Sequence, residues 1–321
     1  MPDVLAYANI FADQVRVRAY EQAIRATVRP GAVVVDLGAG PGIFALMACR
    51  AGAARVYAIE TDPIIGVARE LARANGYADR IVFIEAASRT VDAPEAADVL
   101  VADVRGVLPL FADGLVTMID ARDRFLRPGG AIVPGRDVLW ASLVEAPRTW
   151  RLGFETWDGE PYGIDLKAVR AVATHELWRL APGDGRLLTP PQRWAVLDYR
   201  SLATPGVGAT LDFSVAERGT AHGIMLWFET ELSAGVSFST GPDGPPLVYG
   251  RALLPWPEAT ACEPGTRVHV DLRADYVVDR YVWTWTSAIT PPAGAPARFR
   301  QSTLQSSLLS RAQLPGPASR R

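Results

Sequence analysis

The segment Val33-Val34-Val35-Asp36-Leu37-Gly38-Ala39-Gly40-Pro41-Gly42 sets an acid and three glycines at the turn from a buried strand into a helix. Glycines let backbone approach a ligand closely, and the first turn of a helix offers N–H groups with no partner inside the helix. Together they can cradle a nucleotide. The dinucleotide form of this turn needs a third glycine one position further on, where Ile43 stands. An acid followed by G-x-G-x-G is instead the form that takes S-adenosyl-L-methionine. A second strand, residues 56–60, ends in Glu60, whose carboxylate can accept hydrogen bonds from both ribose hydroxyls. Glycine turns and acidic strand ends each arise for structural reasons alone. Both in this order point to a cofactor site made of Asp36, Gly38, Gly40, Gly42 and Glu60, with Asp36 holding the loop or the methionine end of the cofactor. A nicotinamide-dependent oxidoreductase is the reading that Ile43 disfavours.

Positioning those residues requires alternating strands and helices, and the first two-fifths of the chain alternates in this way. Strands are expected at 33–36, 56–60, 81–84 and 99–102, with helices to about residue 51, over 64–75 and over 117–126. Arg127-Pro128-Gly129-Gly130 then leads into the strand Ala131-Ile132-Val133. From about Asp137 the pattern changes to short apolar alternations at 138–143, 224–231, 268–272 and 276–285, separated by Pro and Gly turns. The expected fold class is α/β: a Rossmann-like parallel sheet, then an antiparallel β-barrel or sandwich that aromatics and a helical stretch over 150–191 interrupt. The expected divisions are an N-terminal helix in 1–30, a cofactor domain over 31–134, a β-domain over 135–300, and a flexible tail over 301–321.

Composition excludes several other functions. The 321 residues are 49% hydrophobic and 21% charged, enough for one large domain or two ordinary ones. A net charge of −2 gives no electrostatic case for nucleic acid or a membrane surface as partner. Cys49 and Cys262 form no framework, and His175, His222 and His269 lack ligand spacing, so no metal site is expected. No apolar run reaches membrane-spanning length and no signal-like segment opens the chain, which makes the cytoplasm the expected location.

This order of domains resembles that of the protein arginine methyltransferases. Asp13-Gln14-Val15-Arg16 with Tyr20 is similar to the family's D-E-V-R…Y helix, and Ala102-Asp103-Val104-Arg105-Gly106 falls where the family has S-E-W-M-G. The run from Asp120 to Pro134 resembles A-R-D-K-W-L-x-P-x-G-x-x-x-P. Trp157 with Tyr162-Gly163-Ile164-Asp165 resembles the W…Y-G-F-D of the dimerisation arm, and Phe238-Ser239-Thr240-Gly241-Pro242 resembles F-S-T-S-P. The resemblance covers residues 5 to 290, and it implies a Rossmann-like sheet of the class I S-adenosylmethionine-dependent methyltransferase type and a β-barrel domain with a helical dimerisation arm at about 147–190. It implies that Arg16 grips the cofactor carboxylate, that Ser88 contacts the adenine, that Asp103 begins a two-acid loop, that Trp150, Phe154, Trp157 and Tyr162 anchor the arm and an interface, and that the chain forms a homodimer acting on a peptide or protein, arginine being the acceptor implied first.

Departures from the family pattern fall on the acceptor side. Two glutamates would clamp a guanidinium; here the first is Asp103, the second position is Ala112, and Asp113 is the nearest substitute. Arg105 stands between them, repelling an arriving guanidinium unless it pairs with Asp113. The T-H-W loop reads Leu247-Val248-Tyr249, without the histidine that would pair with Asp13. Arg89 replaces an adenine-facing glutamate, and the helix that closes over the cofactor is largely missing. The expected catalytic set is therefore Asp103, Arg105 and Asp113. Two alternatives accompany it: a carboxylate or other non-arginine acceptor recruited by Arg105, and a cofactor-binding, non-catalytic regulatory or assembly paralogue.

Overall fold

In the computed structural model, which describes residues 4–92 and 95–306, two helices precede the first strand: α1 (Val4–Ala12) and α2 (Gln14–Thr27). Asp13 starts α2, its Oδ1 accepting the Arg16 amide at 3.1 Å. Then follow β1 (Val33–Leu37), α3 (Ile43–Arg50), β2 (Arg55–Glu60), α4 (Ile65–Ala74), β3 (Ile81–Glu85), β4 (Ala97–Ala102), α5 (Gly114–Phe125) and β5 (Leu126–Val133). The five strands are parallel, in the order β3-β2-β1-β4-β5. Val34, Val35 and Leu37 are buried, as a central strand covered on both faces requires. β1 lies where the strand order reverses, and a sheet of this kind opens a crevice there, beyond the carboxyl ends. Leu37 pairs with both Ile59 and Ala102, so Gly38, Glu60 and Asp103 emerge side by side at that crevice.

A second unit begins with β6 (Arg136–Glu145). The arm follows, with α6 (Pro147–Gly153) and α7 (Lys167–Ala173), then β7 (Trp178–Arg179), β8 (Arg186–Leu187), β9 (Gln192–Asp198), β10 (Val207–Ser214), β11 (Gly219–Ser233), β12 (Val236–Ser239), β13 (Ala252–Cys262), β14 (Arg267–Val277), β15 (Arg280–Thr290) and β16 (Ala297–Ser302). One antiparallel sheet runs β7-β13-β11-β6-β8 with β12 and β9 attached, and a second runs β10-β14-β15-β16. Period-two burial of Val268, Val270, Leu272 and Ala274 turns one face of β14 into the core. Trp256 and Trp285 fill that core, their indole N–H groups donating to Ser287 Oγ and Pro255 O, each at 3.0 Å.

Four features differ from the sequence-based expectation. The apolar stretch 276–285 is not one strand, because a hairpin turn at Val278 divides it between β14 and β15; this β-branched residue has φ 62° and is 92% exposed. β16 runs past residue 300, and buried Gln301 donates to Pro255 O at 2.7 Å, so ordered chain continues to Ser306, while 307–321 lie outside the described residues. α1 is present where the covering helix was expected to be largely missing. In the arm, Trp150 and Phe154 are buried against each other and Trp178 rather than presented as anchors, whereas Leu152, Tyr162 and Ile164 are exposed. Among the described residues no helix is long and apolar enough to cross a membrane.

Candidate active site

Three glycines of the loop after β1 adopt positive φ: Gly38 at 66°, Gly40 at 52° and Gly42 at 80°. Space as well as conformation excludes a side chain. A Cβ on Gly38 would lie 2.9 Å from Val104, one on Gly40 3.0 Å from the Tyr7 ring, and one on Gly42 2.8 Å from the Ala68 Cβ. Glu60 ties the end of β2 to this loop, its Oε2 accepting the Gly40 amide at 2.9 Å while Oε1 accepts the amides of Thr61 and Asp62. Tyr7, carried by α1, covers the loop; burial, with Glu60 and Asp62 nearby, pushes its hydroxyl up to about 12.

A cavity of about 380 Å³ opens at these strand ends, with Tyr7, Gly38, Glu60, Ser88, Asp103 and Arg105 in its wall. Beneath the loop, Asp36 is 1% exposed and neither carboxylate oxygen accepts a hydrogen bond of normal geometry. Desolvation raises it to about 7, partly opposed by the Ala45 amide and reinforced by Glu60. An unsatisfied buried acid, a glycine loop with no room for a Cβ and a second acid at the next strand end fit S-adenosyl-L-methionine, with Glu60 available to the ribose and Ser88 to the adenine; the amides of Gly38, Ala39, Gly40 and Gly42 are given to Ile59 O, Glu60 and Ala39 O and hold the loop's own shape.

Arg16 is not in the wall of that cavity but buried against Asp103. Its Nε donates to Asp103 Oδ2 at 2.6 Å and to the Tyr249 hydroxyl at 3.0 Å, its Nη2 pairs with the same carboxylate, and Nη1 donates to Ile10 O at 3.3 Å. The residue expected to grip the cofactor and the residue expected to clamp the acceptor are thus partners. Burial alone would lift the Asp103 carboxyl, but Arg16, Arg105 and the Tyr249 hydroxyl outweigh it and hold it below its ordinary value.

Arg105 is the centre of a buried network that joins the two domains. Its Nε and Nη2 donate to Asp137 Oδ2 and Oδ1 at 2.9 and 3.0 Å, Nη1 donates to Tyr20 at 2.8 Å and Asp103 at 3.1 Å, and Nη2 also donates to Thr230 at 2.9 Å. A guanidinium has five N–H groups, and all five are engaged. This corrects two expectations. Arg105 has no proton left in this arrangement with which to recruit an anionic acceptor, and it does not pair with Asp113. Asp113 instead takes Arg89 at 3.1 Å, a half-exposed pair at the cavity mouth. Asp13 still reaches the loop that lacks the expected histidine, its Oδ2 accepting the Val248 amide at 2.8 Å.

Asp137, Tyr199, Thr230 and Tyr249 were not among the expected site residues. For Asp137 a signal existed: extending the alternation of Leu139, Ala141 and Leu143 back by two positions puts this acid on the inward face of β6, where a carboxylate must be paired. The Tyr199 hydroxyl completes that pairing. Nothing local marked Thr230, which follows the run on β11 and reaches Arg105 only through the sheet.

Comparison with known proteins agrees with both halves of this architecture. A family described as ribosomal protein L11 methyltransferase matches residues 16–135, and the arginine methyltransferase oligomerization subdomain matches residues 136–273. A probable protein arginine N-methyltransferase 6 of Arabidopsis thaliana is 29% identical over 240 residues, 72% of this chain but only 55% of that protein. Protein arginine N-methyltransferase 6 of Xenopus laevis is 29% identical over 285 residues, covering 84% of this chain and 83% of that one. Among solved structures, the protein arginine methyltransferase 1 enzyme–prozyme heterotetramer of Trypanosoma brucei with AdoHcy superposes with a TM-score of 0.80 at 19% identity, over 92% of this chain and 97% of that chain. Protein arginine methyltransferase 10 of Arabidopsis thaliana, in an open conformation, gives 0.78 at 20% identity, over 92% and 96%. At these identities the structural matches establish the fold.

Proposed function

We propose that this chain, a methyltransferase of protein-arginine-methyltransferase-like architecture, transfers the methyl group of S-adenosyl-L-methionine to a peptide or protein side chain, with arginine as the first acceptor to test. The observation that carries the reading is the register of β1, β2 and β4, which sets the glycine loop, Glu60 and Asp103 around one cavity at the switch point. The cofactor, when bound, supplies a methyl group already activated on a sulfonium. What remains for the protein is to bring a lone pair in line and to exclude water. Glu60 holds the ribose in this reading, α1 and Tyr7 shield the loop from solvent, and Arg16 turns from Asp103 to the cofactor carboxylate. Asp103, then freed of Arg16 and still held by Arg105 and Tyr249, orients the acceptor together with Asp113 and localises its charge. The experiment is transfer of labelled methyl from the cofactor into a bacterial extract and arginine-rich peptides, with hydrolysis and amino-acid analysis. Base-stable label in methylarginine supports arginine, whereas base-labile label replaces it with a carboxylate acceptor.

One observation favours a second reading, a cofactor-binding module without turnover: both Asp103 oxygens are already engaged by Arg16, Arg105 and Tyr249. Cofactor binding with no labelled product from any extract supports the module, and any labelled product removes it. A homodimer formed through the arm belongs to either reading, supported by the match to an oligomerization subdomain and by exposed Leu152, Tyr162 and Ile164. The cytoplasm is the location proposed with it.

A further inference from the structure

Carboxylates that meet the planar fork edge-on, with an aromatic face beside it, are what recognises a guanidinium. This chain builds such a site and fills it with its own side chain. The Arg105 guanidinium lies between two carboxylates from different domains: Asp137 takes Nε and Nη2 in a bidentate pair, and Asp103 takes Nη1 at 3.1 Å. The Tyr20 and Thr230 hydroxyls accept the remaining N–H groups, and the Phe228 ring centre is 5.5 Å from the guanidinium carbon. Arg105 and Asp103 also form part of the wall of the cavity at the strand ends.

We infer that Arg105 sets acceptor specificity by occupying a guanidinium site from within, so that an arginine side chain of another protein enters only when Arg105 is withdrawn or replaced. The inference rests on the reading above for its placement beside the methyl donor. A tethered guanidinium two residues from Asp103 has an effective concentration that a free peptide cannot match, and it keeps both carboxylates compensated in a region closed to solvent. Replacing Arg105 by glycine leaves Asp137 without a countercharge and Asp103 with Arg16 as its one remaining countercharge, around a space of the shape of a small guanidinium ion.

The test is the thermal unfolding midpoint of the full chain and of Arg105→Gly in millimolar methylguanidinium, with equal methylammonium as the control. The variant is expected to lose stability and to regain a large part of it in methylguanidinium alone, while the unsubstituted chain responds to neither salt. Equal recovery in both salts, or none, overturns the inference, since a simple interdomain charge pair would not distinguish a fork from a point charge. Should Arg105→Gly fail to fold in plain buffer, its refolding yield in the two salts is the same comparison. Transfer of labelled methyl to an arginine peptide, measured in parallel and expected to rise in the variant, tests the proposed function separately. Selective methylguanidinium recovery without transfer keeps the occupied site and removes arginine as the acceptor in the proposed function.

Discussion

Arg16 and Asp103, separated by 87 positions, form one buried ion pair in which Arg16 Nε stands 2.6 Å from Asp103 Oδ2. In the proposed reading the cofactor carboxylate and Asp103 compete for this one guanidinium. Breaking a buried pair outright costs about 3–5 kcal/mol, but without Arg16 the Asp103 carboxylate keeps Arg105 and the Tyr249 hydroxyl. Arg16→Ala is therefore expected to lower folding stability by less than that amount and to weaken S-adenosyl-L-methionine binding, as urea unfolding and titration calorimetry would report. Full cofactor affinity in a folded Arg16→Ala chain would remove Arg16 from the cofactor site.

Gly40 adopts φ 52° with the Tyr7 ring 3.0 Å from where a Cβ would stand. Gly40→Val strains the backbone and pushes α1 off the loop, and a loss in cofactor affinity of about 100-fold or more is expected, equivalent to about 3 kcal/mol. Equilibrium dialysis with labelled cofactor measures it.

Glu60→Gln keeps the shape but removes the charge that, in the proposed reading, strengthens bonds to the ribose hydroxyls. The expected loss is about 2 kcal/mol of binding, and the thermal midpoint of the ligand-free chain falls as well, because one of the two oxygens that accept the amides of Gly40, Thr61 and Asp62 becomes a donor. Unchanged affinity both here and in Gly40→Val would dismantle the cofactor-site assignment.

Asp36 supplies a pH dependence of determinate sign. Folded, it keeps its proton up to about pH 7, whereas the unfolded carboxyl releases it near 3.8. Between those values the folded chain binds more protons, so the contribution of Asp36 to stability is complete below about pH 4, falls as the pH rises to about 7 and then levels. The span is at most about 4 kcal/mol. Asp36→Asn is expected to be more stable than the unsubstituted ligand-free chain at pH 8, with the gap closing toward pH 4; denaturant unfolding across that range checks it, and a gap independent of pH would contradict the burial argument.

Tyr162 is 97% exposed and Ile164 lies two residues on, also exposed. In the proposed dimer these side chains bury apolar surface against the second copy. Tyr162→Asp with Ile164→Asp is expected to give a folded monomer in sedimentation velocity at concentrations where the unsubstituted chain is dimeric.

The geometry of the glycine loop and the place of Glu60 were legible because their determinants are local. Positive φ at Gly38, Gly40 and Gly42 follows from the turn that a buried strand must make into a helix, and Glu60 is placed by ending the neighbouring strand. Asp103 could be placed at the end of β4, but its partners were not visible in the chain. Arg105 pairs with Asp137 and Thr230, 32 and 125 positions away, and Asp113 pairs with Arg89 at the cavity mouth rather than with Arg105.

Sequence by itself determined the alternation of strand and helix, the glycine loop and its two acids, and the change to antiparallel strands after Pro134, because each depends on backbone preferences and periodicities within a few neighbouring residues. Only the tertiary structure decided which charges meet. A buried carboxylate or guanidinium takes whatever partner lies within hydrogen-bonding distance after two domains have closed on it, and that distance depends on packing between α2, β4, β6 and β11, which no local pattern encodes.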